Sequence, residues 1–209
     1  MKDTNQFHKK NDLLCSIFPW SPIFAKRSNF EAGYFASEEI LVKKFLKTKS
    51  NILIIGSGNG REARPICQDQ HDIYCMDIAS IYLEIGQRLF RKIGITNVSF
   101  IQDDVCKGFS FKDNSFDFIF CSLYSNMGSF RFQLLRDLHR IIRQHGSILL
   151  SCCTPIYPSL YQKDDLSKWK WIKSEEELSA EVSNCSFNLV DSIVDPIRSE
   201  YRLSILNIK

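Results

Sequence analysis

Three glycines stand within five positions, directly behind an aliphatic run, in the segment NILIIGSGNGRE (residues 51–62). Glycine has no side chain, so its backbone approaches a ligand closely and adopts turns that other residues avoid. A strand that leads through such a turn into a helix is typical of sites for nucleotide-like ligands. The segment therefore predicts a ligand against the backbone of Gly56, Ser57, Gly58 and Gly60.

The spacing of these glycines separates two ligand classes. Dinucleotide sites use the pattern G-x-G-x-x-G, whose third glycine would fall at position 61, and that residue is Arg61. The spacing here is G-x-G-x-G and ends at Gly60. We therefore expect a ligand other than a nicotinamide dinucleotide, and a nicotinamide dehydrogenase is kept as an alternative.

Acidic residues follow at two later points of the chain. Asp77 ends the apolar run DIYCMD, where an acidic side chain would accept both hydrogen bonds of a ribose diol. Asp103 and Asp104 follow the run NVSFI. Carboxylates grouped in one pocket favour a cationic ligand over a pyrophosphate.

The elements that must position these residues alternate between strand and helix. Such alternation predicts an α/β fold with a doubly wound, Rossmann-like, seven-stranded sheet that is mostly parallel and binds its ligand beyond the carboxyl ends of the strands. The turn DPIRSE is too short for a crossover helix, so we expect the last strand to be antiparallel. Strands are predicted at 51–55, 72–77, 97–101, 115–122, 147–153, 186–194 and 201–208. Helices are predicted from about residue 37, at 60–70 with a start delayed by Pro65, and at 80–94, 130–146 and 174–184.

Four segments in this order resemble one known family, the class I S-adenosylmethionine-dependent methyltransferases of the small-molecule type. The segment ILIIGSGNGRE is similar to their first motif, an aliphatic strand followed by G-x-G-x-G. The segments VSFIQDDV, FSFKDNSFDFIFCSLYSNMG and LLRDLHRIIRQHGSILLSC resemble the regions around their third, fourth and fifth strands. The resemblance is specific for residues 51–153 and implies the cofactor S-adenosyl-L-methionine.

The resemblance also implies a role for individual residues. The floor of the cofactor site would be the glycine-rich loop, Gly56 to Gly60, and Asp77 would accept the ribose hydroxyls. Ile78 would contact the adenine, Asp104 its amine and Val105 its ring nitrogen. Cys121 would make a backbone contact beside the methionine part of the cofactor.

No pattern in the chain identifies a general base, so no catalytic residue is predicted. Holding an acceptor in line with the methyl group corresponds to effective molarities of ~10⁵ to 10⁸ M, which makes positioning sufficient for a reactive acceptor. We expect the aromatic-rich segments 1–50 and 154–173 to wall the acceptor, with Tyr34, Tyr124 and Asn126 as its contacts. The expected reaction is methyl transfer to an N or O atom of a small molecule by direct displacement.

Two further alternatives stay open at this stage. An RNA or protein methyltransferase would use the basic N-terminal residues as a docking surface. A non-catalytic partner subunit would bind S-adenosylmethionine without turnover, which the weak acceptor motif leaves open.

Length, charge and cysteine usage set the remaining expectations. The 209 residues suit a single methyltransferase domain, with 1–50 as N-terminal arm and lid helix and 51–209 as the S-adenosylmethionine-binding core. A net charge of +3 argues against unaided binding to duplex nucleic acid. The eight cysteines form no C-x-x-C pair, which predicts no metal site, and several lie inside apolar runs, which indicates a reducing compartment and a cytoplasmic location. The longest apolar runs are of strand length, which predicts no membrane span. The sequence gives no signal of an oligomeric state.

Overall fold

The structure, a computed structural model, describes residues 26–122, 130–153, 174–196 and 201–209. The strands are β1 Asn51–Ile55, β2 Asp72–Asp77, β3 Val98–Gln102, β4 Phe116–Cys121, β5 Ile142–Cys153, β6 Phe187–Val194 and β7 Tyr201–Ile208. The helices in the described ranges are α1 Arg27–Ala32, α2 Ala36–Phe45, α3 Ser80–Lys92, α4 Arg131–Ile141 and α5 Glu175–Ser183, and a 3₁₀ turn spans Val105–Lys107.

One seven-stranded sheet organises the fold, in the order β3-β2-β1-β4-β5-β7-β6. The pairs β1–β2, β2–β3, β1–β4 and β4–β5 are parallel, whereas β7 is antiparallel to both β5 and β6. The predicted sheet and its antiparallel last strand are therefore confirmed. Strand order reverses between β1 and β4, so their carboxyl ends flank the crevice where such sheets bind ligands.

The core lies on both faces of the sheet, which explains why β1 is apolar at four successive positions. Leu53 and Ile55 pack on one face with residues of α4 and α5. Ile52 and Ile54 pack on the other face with residues of α1, α2 and α3. All four side chains are fully buried, as expected for a central strand covered on both sides.

The helix predicted at residues 60–70 is wrong. The chain instead forms consecutive turns, with backbone bonds from Ala63 to Gly60 (3.1 Å), Arg64 to Arg61 (3.2 Å) and Ile66 to Ala63 (3.3 Å). Pro65 has no N–H and cannot donate the next helical bond to the carbonyl of Arg61. The polar composition of residues 60–70 predicts a surface element, but several of these side chains are buried.

Two other elements have shifted boundaries. The amphipathic helix predicted at 130–146 ends at Ile141, and β5 begins at Ile142 rather than at residue 147. Gly146 lies within β5, close to β4: a Cβ there would come within 2.9 Å of the carbonyl oxygen of Asp117. Ile142 continues the 3.6-residue hydrophobic period of this helix, so the period does not show that the helix ends at Ile141. Within the described ranges, no helix has the length and apolar character needed to cross a bilayer.

Candidate active site

The glycine-rich loop, residues 56–60, is attached to the end of β2. The backbone N–H groups of Gly56 and Ser57 both donate to the carbonyl of Met76, at 2.9 and 3.1 Å. Gly58 and Gly60 have φ values of 53° and 85°, a region that side-chain-bearing residues rarely adopt. At Gly60 an added Cβ would also lie 2.8 Å from the ring of Phe90 on α3. The third glycine therefore allows the loop to pack closely on the helix.

Asp77 lies directly beside this loop, as the sequence predicts. Its Oδ2 accepts from the backbone N–H of Gly58 and its Oδ1 from that of Ala79, both at 2.9 Å. Burial raises the pKa of Asp77, while these backbone hydrogen bonds act in the opposite direction. Each carboxylate oxygen has two lone pairs, so both oxygens retain capacity for a further donor such as a ribose hydroxyl.

The end of β3 lies next to Asp77. The backbone N–H of Asp103 donates to the carbonyl of Asp77 at 3.2 Å. The side chain of Gln102 donates to the carbonyl of Ile78 at 3.1 Å. These bonds bring Ile78, Asp104 and the half-buried Val105 to the same edge of the sheet as the glycine-rich loop.

Asp104 has a structural role of its own. Its Oδ1 accepts from the backbone N–H of Cys106 at 3.0 Å, and its Oδ2 lies 3.7 Å from Nζ of Lys107. It therefore caps the 3₁₀ turn that follows β3. The side chain is 8% exposed, so little of it faces solvent in this structure. Asp103 is less buried, and its Oδ1 accepts from the backbone N–H of Asp104 at 2.8 Å.

Cys121 ends β4 on the other side of the strand reversal. It pairs with Ile55, the residue before the glycine-rich loop, and is fully buried. The backbone N–H of Ser122 continues this pairing with the carbonyl of Ile55 at 3.4 Å. Two predicted acceptor contacts, Tyr124 and Asn126, lie outside the described residues, as does the predicted wall at 154–173.

The N-terminal segment, residues 26–45, lies on the glycine-rich loop. The side chain of Asn59 donates to the carbonyl of Lys26 at 3.1 Å and accepts from the side chain of Asn29 at 3.2 Å. Farther along, the ring of Tyr34 stacks on Phe120 with centroids 5.9 Å apart and planes 16° apart. Since Phe120 precedes Cys121 in β4, this segment reaches the end of β4 as well as the loop.

A buried group of charges joins the same segment to the residues after Gly60. We call Glu38, Arg61 and Glu62 the Arg61 cluster. These three residues are 5%, 7% and 6% exposed, respectively. The guanidinium of Arg61 donates to both oxygens of Glu38 at 2.7 and 2.8 Å and to Glu62 at 2.6 Å. Sequence reasoning missed this cluster. The charged pair RE directly after Gly60 is the only signal, and it does not name Glu38 as the partner.

The charges of the cluster shift the titration of its members and of Tyr34. Burial would lower the pKa of Arg61, but Glu62 and Glu38 outweigh it and raise the value. Burial raises the pKa of Glu62, with Arg61 acting against it. Burial, followed by the charges of Glu62 and Glu38, raises the pKa of Tyr34, so its phenol keeps its proton.

Comparison with known proteins identifies the family of this fold and site. A family model described as a methyltransferase domain matches residues 52–146, from β1 into β5. None of the curated proteins compared with the chain has a significantly similar sequence. The strand order, the glycine-rich loop and the matched region define a Rossmann-like methyltransferase domain. The matched region is a class I S-adenosylmethionine-dependent methyltransferase domain, and its cofactor is S-adenosyl-L-methionine.

Several solved structures share the fold. The 1,6-didemethyltoxoflavin-N1-methyltransferase of Burkholderia thailandensis, solved with 1,6-didemethyltoxoflavin and S-adenosylhomocysteine, has 16% identity and a TM-score of 0.73 over 99% of this chain and 90% of that chain. A methyltransferase from Aquifex aeolicus has 18% identity and a TM-score of 0.66 over 90% and 97%. The [4+2]-cyclase SpnF has 14% identity and a TM-score of 0.67 over 82% and 80%. Because a cyclase shares the fold, the fold alone does not define the acceptor.

Proposed function

We propose that this enzyme transfers a methyl group from S-adenosylmethionine to an N or O atom of a small molecule by direct displacement. The whole chain, 1–209, would act as one domain, with 1–50 as arm and lid helix and 51–209 as the cofactor-binding core. The observation that carries the proposal is the N-terminal segment, which lies on the glycine-rich loop and reaches β4 through the stack of Tyr34 on Phe120. A crevice covered in this way favours an acceptor small enough to be enclosed.

The cofactor contacts in this proposal follow the edge of the sheet. Gly56, Ser57, Gly58 and Gly60 would form the floor of the site. Asp77 would accept the ribose hydroxyls, supported by the two oxygens that already orient towards the loop and Ala79. Ile78 and Val105 would flank the adenine and Asp104 would meet its amine. Cys121 would contribute a backbone contact at the end of β4.

Residue types at this edge fit a sulfonium cofactor. S-adenosylmethionine has no phosphate, and the segment 56–60 contains no lysine to bind one. Asp77, Asp103 and Asp104 provide carboxylates within one edge of the sheet, which suits a cationic ligand. When bound, the cofactor supplies a methyl group that the acceptor's lone pair takes while the sulfur keeps the electron pair of the broken bond.

Tyr34 is the described residue that we assign to the acceptor. Its hydroxyl oxygen is buried and has no hydrogen-bond partner among the residues that the structure describes. The raised pKa keeps the phenol protonated, so Tyr34 would donate a hydrogen bond and orient the acceptor rather than remove its proton. Tyr124 and Asn126 stay predicted contacts of the same acceptor.

A small acceptor is also supported by the relative from Burkholderia. That protein is named as an N1-methyltransferase of 1,6-didemethyltoxoflavin, a small molecule, and its similarity extends over nearly the whole of this chain. We further propose a cytoplasmic location, because Cys75, Cys121 and Cys152 are buried strand residues that behave as small hydrophobes.

Transfer of radioactive methyl groups tests the proposal. The enzyme would be incubated with methyl-tritiated S-adenosylmethionine and a cell extract separated into small molecules, RNA and protein. We expect label in the small-molecule fraction and a large loss of that label with Tyr34→Leu. Label in RNA or protein would overturn the small-molecule acceptor, and cofactor binding without transfer to any fraction would indicate a non-catalytic partner subunit.

A further inference from the structure

Arg61 joins the cofactor side of the site to the segment that covers it. One terminal nitrogen donates to the carbonyl of Gly33 at 2.6 Å and to Glu38 at 2.7 Å. The other donates to Glu38 at 2.8 Å and to Glu62 at 2.6 Å. The ring of Phe35 lies 4.0 Å from the guanidinium carbon. One side chain next to Gly60 is thus hydrogen-bonded to residues 33 and 38 of the N-terminal segment and in contact with the ring of residue 35.

The residues that Arg61 holds flank the proposed acceptor contact. Tyr34 lies between Gly33 and Phe35, so its backbone position is fixed on both sides by contacts with Arg61. Glu38 adds a second constraint, because its Oε2 also accepts from the backbone N–H of Phe35 at 2.8 Å. Movement of the loop relative to this segment would therefore displace the ring of Tyr34 from Phe120.

Stability alone does not account for such a cluster. Buried ion pairs gain little over apolar residues of similar volume, since removing charges from water is costly. A bidentate guanidinium–carboxylate pair instead fixes geometry, because two N–H groups must align with the two carboxylate oxygens at once. The burial of all three side chains, together with the bidentate contact, points to a role in setting the position of one element against another.

We propose that Arg61 is a positioning residue that couples cofactor binding to the placement of residues 33–38, which form part of the proposed acceptor site. Ordering of the glycine-rich loop by the cofactor also orders residues 33–38, and correct placement of residues 33–38 tightens the cofactor site. The effect must be reciprocal, because coupling between two sites acts equally in both directions. This inference rests on the proposed assignment of the loop to the cofactor.

Two neighbouring carboxylates on α2 allow a matched test. Glu38→Gln keeps the shape of the side chain but removes the charge that Arg61 holds, at a position away from the proposed cofactor contacts. Glu39→Gln makes the same chemical change one residue later, where Glu39 pairs with Lys43 at 2.6 Å and both side chains are more than half exposed. The buried Leu41 and Val42 and the bond from Ser37 to Asp195 should keep α2 docked in both variants.

The readout is the Kd of S-adenosylhomocysteine, measured by calorimetry, together with the thermal midpoint. We expect Glu38→Gln to raise the Kd by about fivefold or more, the lower end of typical coupling effects, and Glu39→Gln to leave it unchanged. A purely structural role would lower the thermal midpoint of Glu38→Gln without changing the Kd. That result would overturn the inference.

A milder variant covers the case in which Glu38→Gln does not fold. Phe35→Leu removes the ring beside the guanidinium and keeps every charged partner, and we expect it to raise the Kd by about two- to fivefold, as for loss of a partly buried cation–π contact. An unchanged Kd in this variant contradicts the inference. A wild-type protein that does not bind S-adenosylhomocysteine contradicts the proposed cofactor site itself, so the two failures are distinguishable.

Discussion

Asp77→Asn tests the cofactor site most sharply, because the carboxylate of Asp77 has two defined backbone donors and two expected ligand donors. The Gly58 and Ala79 N–H groups lie 2.9 Å from its two oxygens. Asparagine offers one acceptor oxygen in place of two, so one ribose hydroxyl loses its charged partner. A hydrogen bond to a charged group contributes about 1.5 to 3 kcal/mol, which corresponds to a rise of about 10- to 150-fold in the Kd of S-adenosylhomocysteine.

The stability of this variant should change little, because two effects oppose each other. Burial raises the pKa of Asp77, so removing its charge relieves a cost of folding. The new amide group, however, faces one of the backbone donors and leaves it without an acceptor. The thermal midpoint, measured beside the Kd, would show whether loss of binding reflects unfolding.

Asp72→Asn is the matched control for Asp77→Asn. Asp72 begins the same strand that Asp77 ends, and it is exposed at the edge of the sheet opposite to the proposed site. We expect calorimetry to give an unchanged Kd for Asp72→Asn. Equal Kd values for wild type and Asp77→Asn, or equal losses in the two variants, would refute the assignment of Asp77 to the ribose.

Three other predictions concern pH, packing and a distant ion pair. Because the pKa of Asp77 is raised, its carboxylate takes up a proton at a higher pH than an ordinary aspartate does. The affinity for S-adenosylhomocysteine should therefore fall as the pH drops through this raised pKa. Asp77→Asn should abolish this part of the pH dependence in calorimetry. The same group favours folding more as the pH falls, since the folded state binds its proton more tightly. Gly60→Ala should lower the free energy of unfolding by about 1 to 3 kcal/mol in urea titrations, because the new Cβ would lie 2.8 Å from the ring of Phe90. Arg131→Met should lower it by about 3 to 5 kcal/mol, because the buried carboxylate of Glu181 would lose the guanidinium that lies 2.7 Å away. The double variant with Glu181→Leu should regain most of that loss, and neither variant should change the Kd of S-adenosylhomocysteine.

The architecture could be predicted from the sequence because it depends on local patterns. An apolar run such as Ile52–Ile55 has few solutions other than a strand covered on both faces, and the glycines that follow it must lie where the chain turns. The short connection before Tyr201 likewise leaves only an antiparallel partner for β7. The strand assignments also predict where each strand ends, and therefore the edge of the sheet at which Asp77 and Cys121 lie next to the glycine-rich loop.

The features that could not be predicted depend on contacts between distant residues. Arg61 and Glu62 look like surface charges until Glu38 and the N-terminal segment cover them, and no local pattern links residues 38 and 61. The failed helix at 60–70 has this origin only in part, because Pro65, a local feature, also favours turns over a regular helix. The sequence predicts that Asp104 contacts the adenine amine, whereas its role in capping the 3₁₀ turn depends on a backbone geometry that only the fold reveals.

A crystal structure of the protein with S-adenosylhomocysteine tests the central claim most directly. The claim predicts both ribose hydroxyls within hydrogen-bond distance of Asp77, about 2.5 to 3.0 Å, with the adenine beside Ile78 and Val105 and the sulfur facing Tyr34. A ligand bound elsewhere, or one whose ribose lies away from Asp77 with the glycine-rich loop untouched, would contradict it.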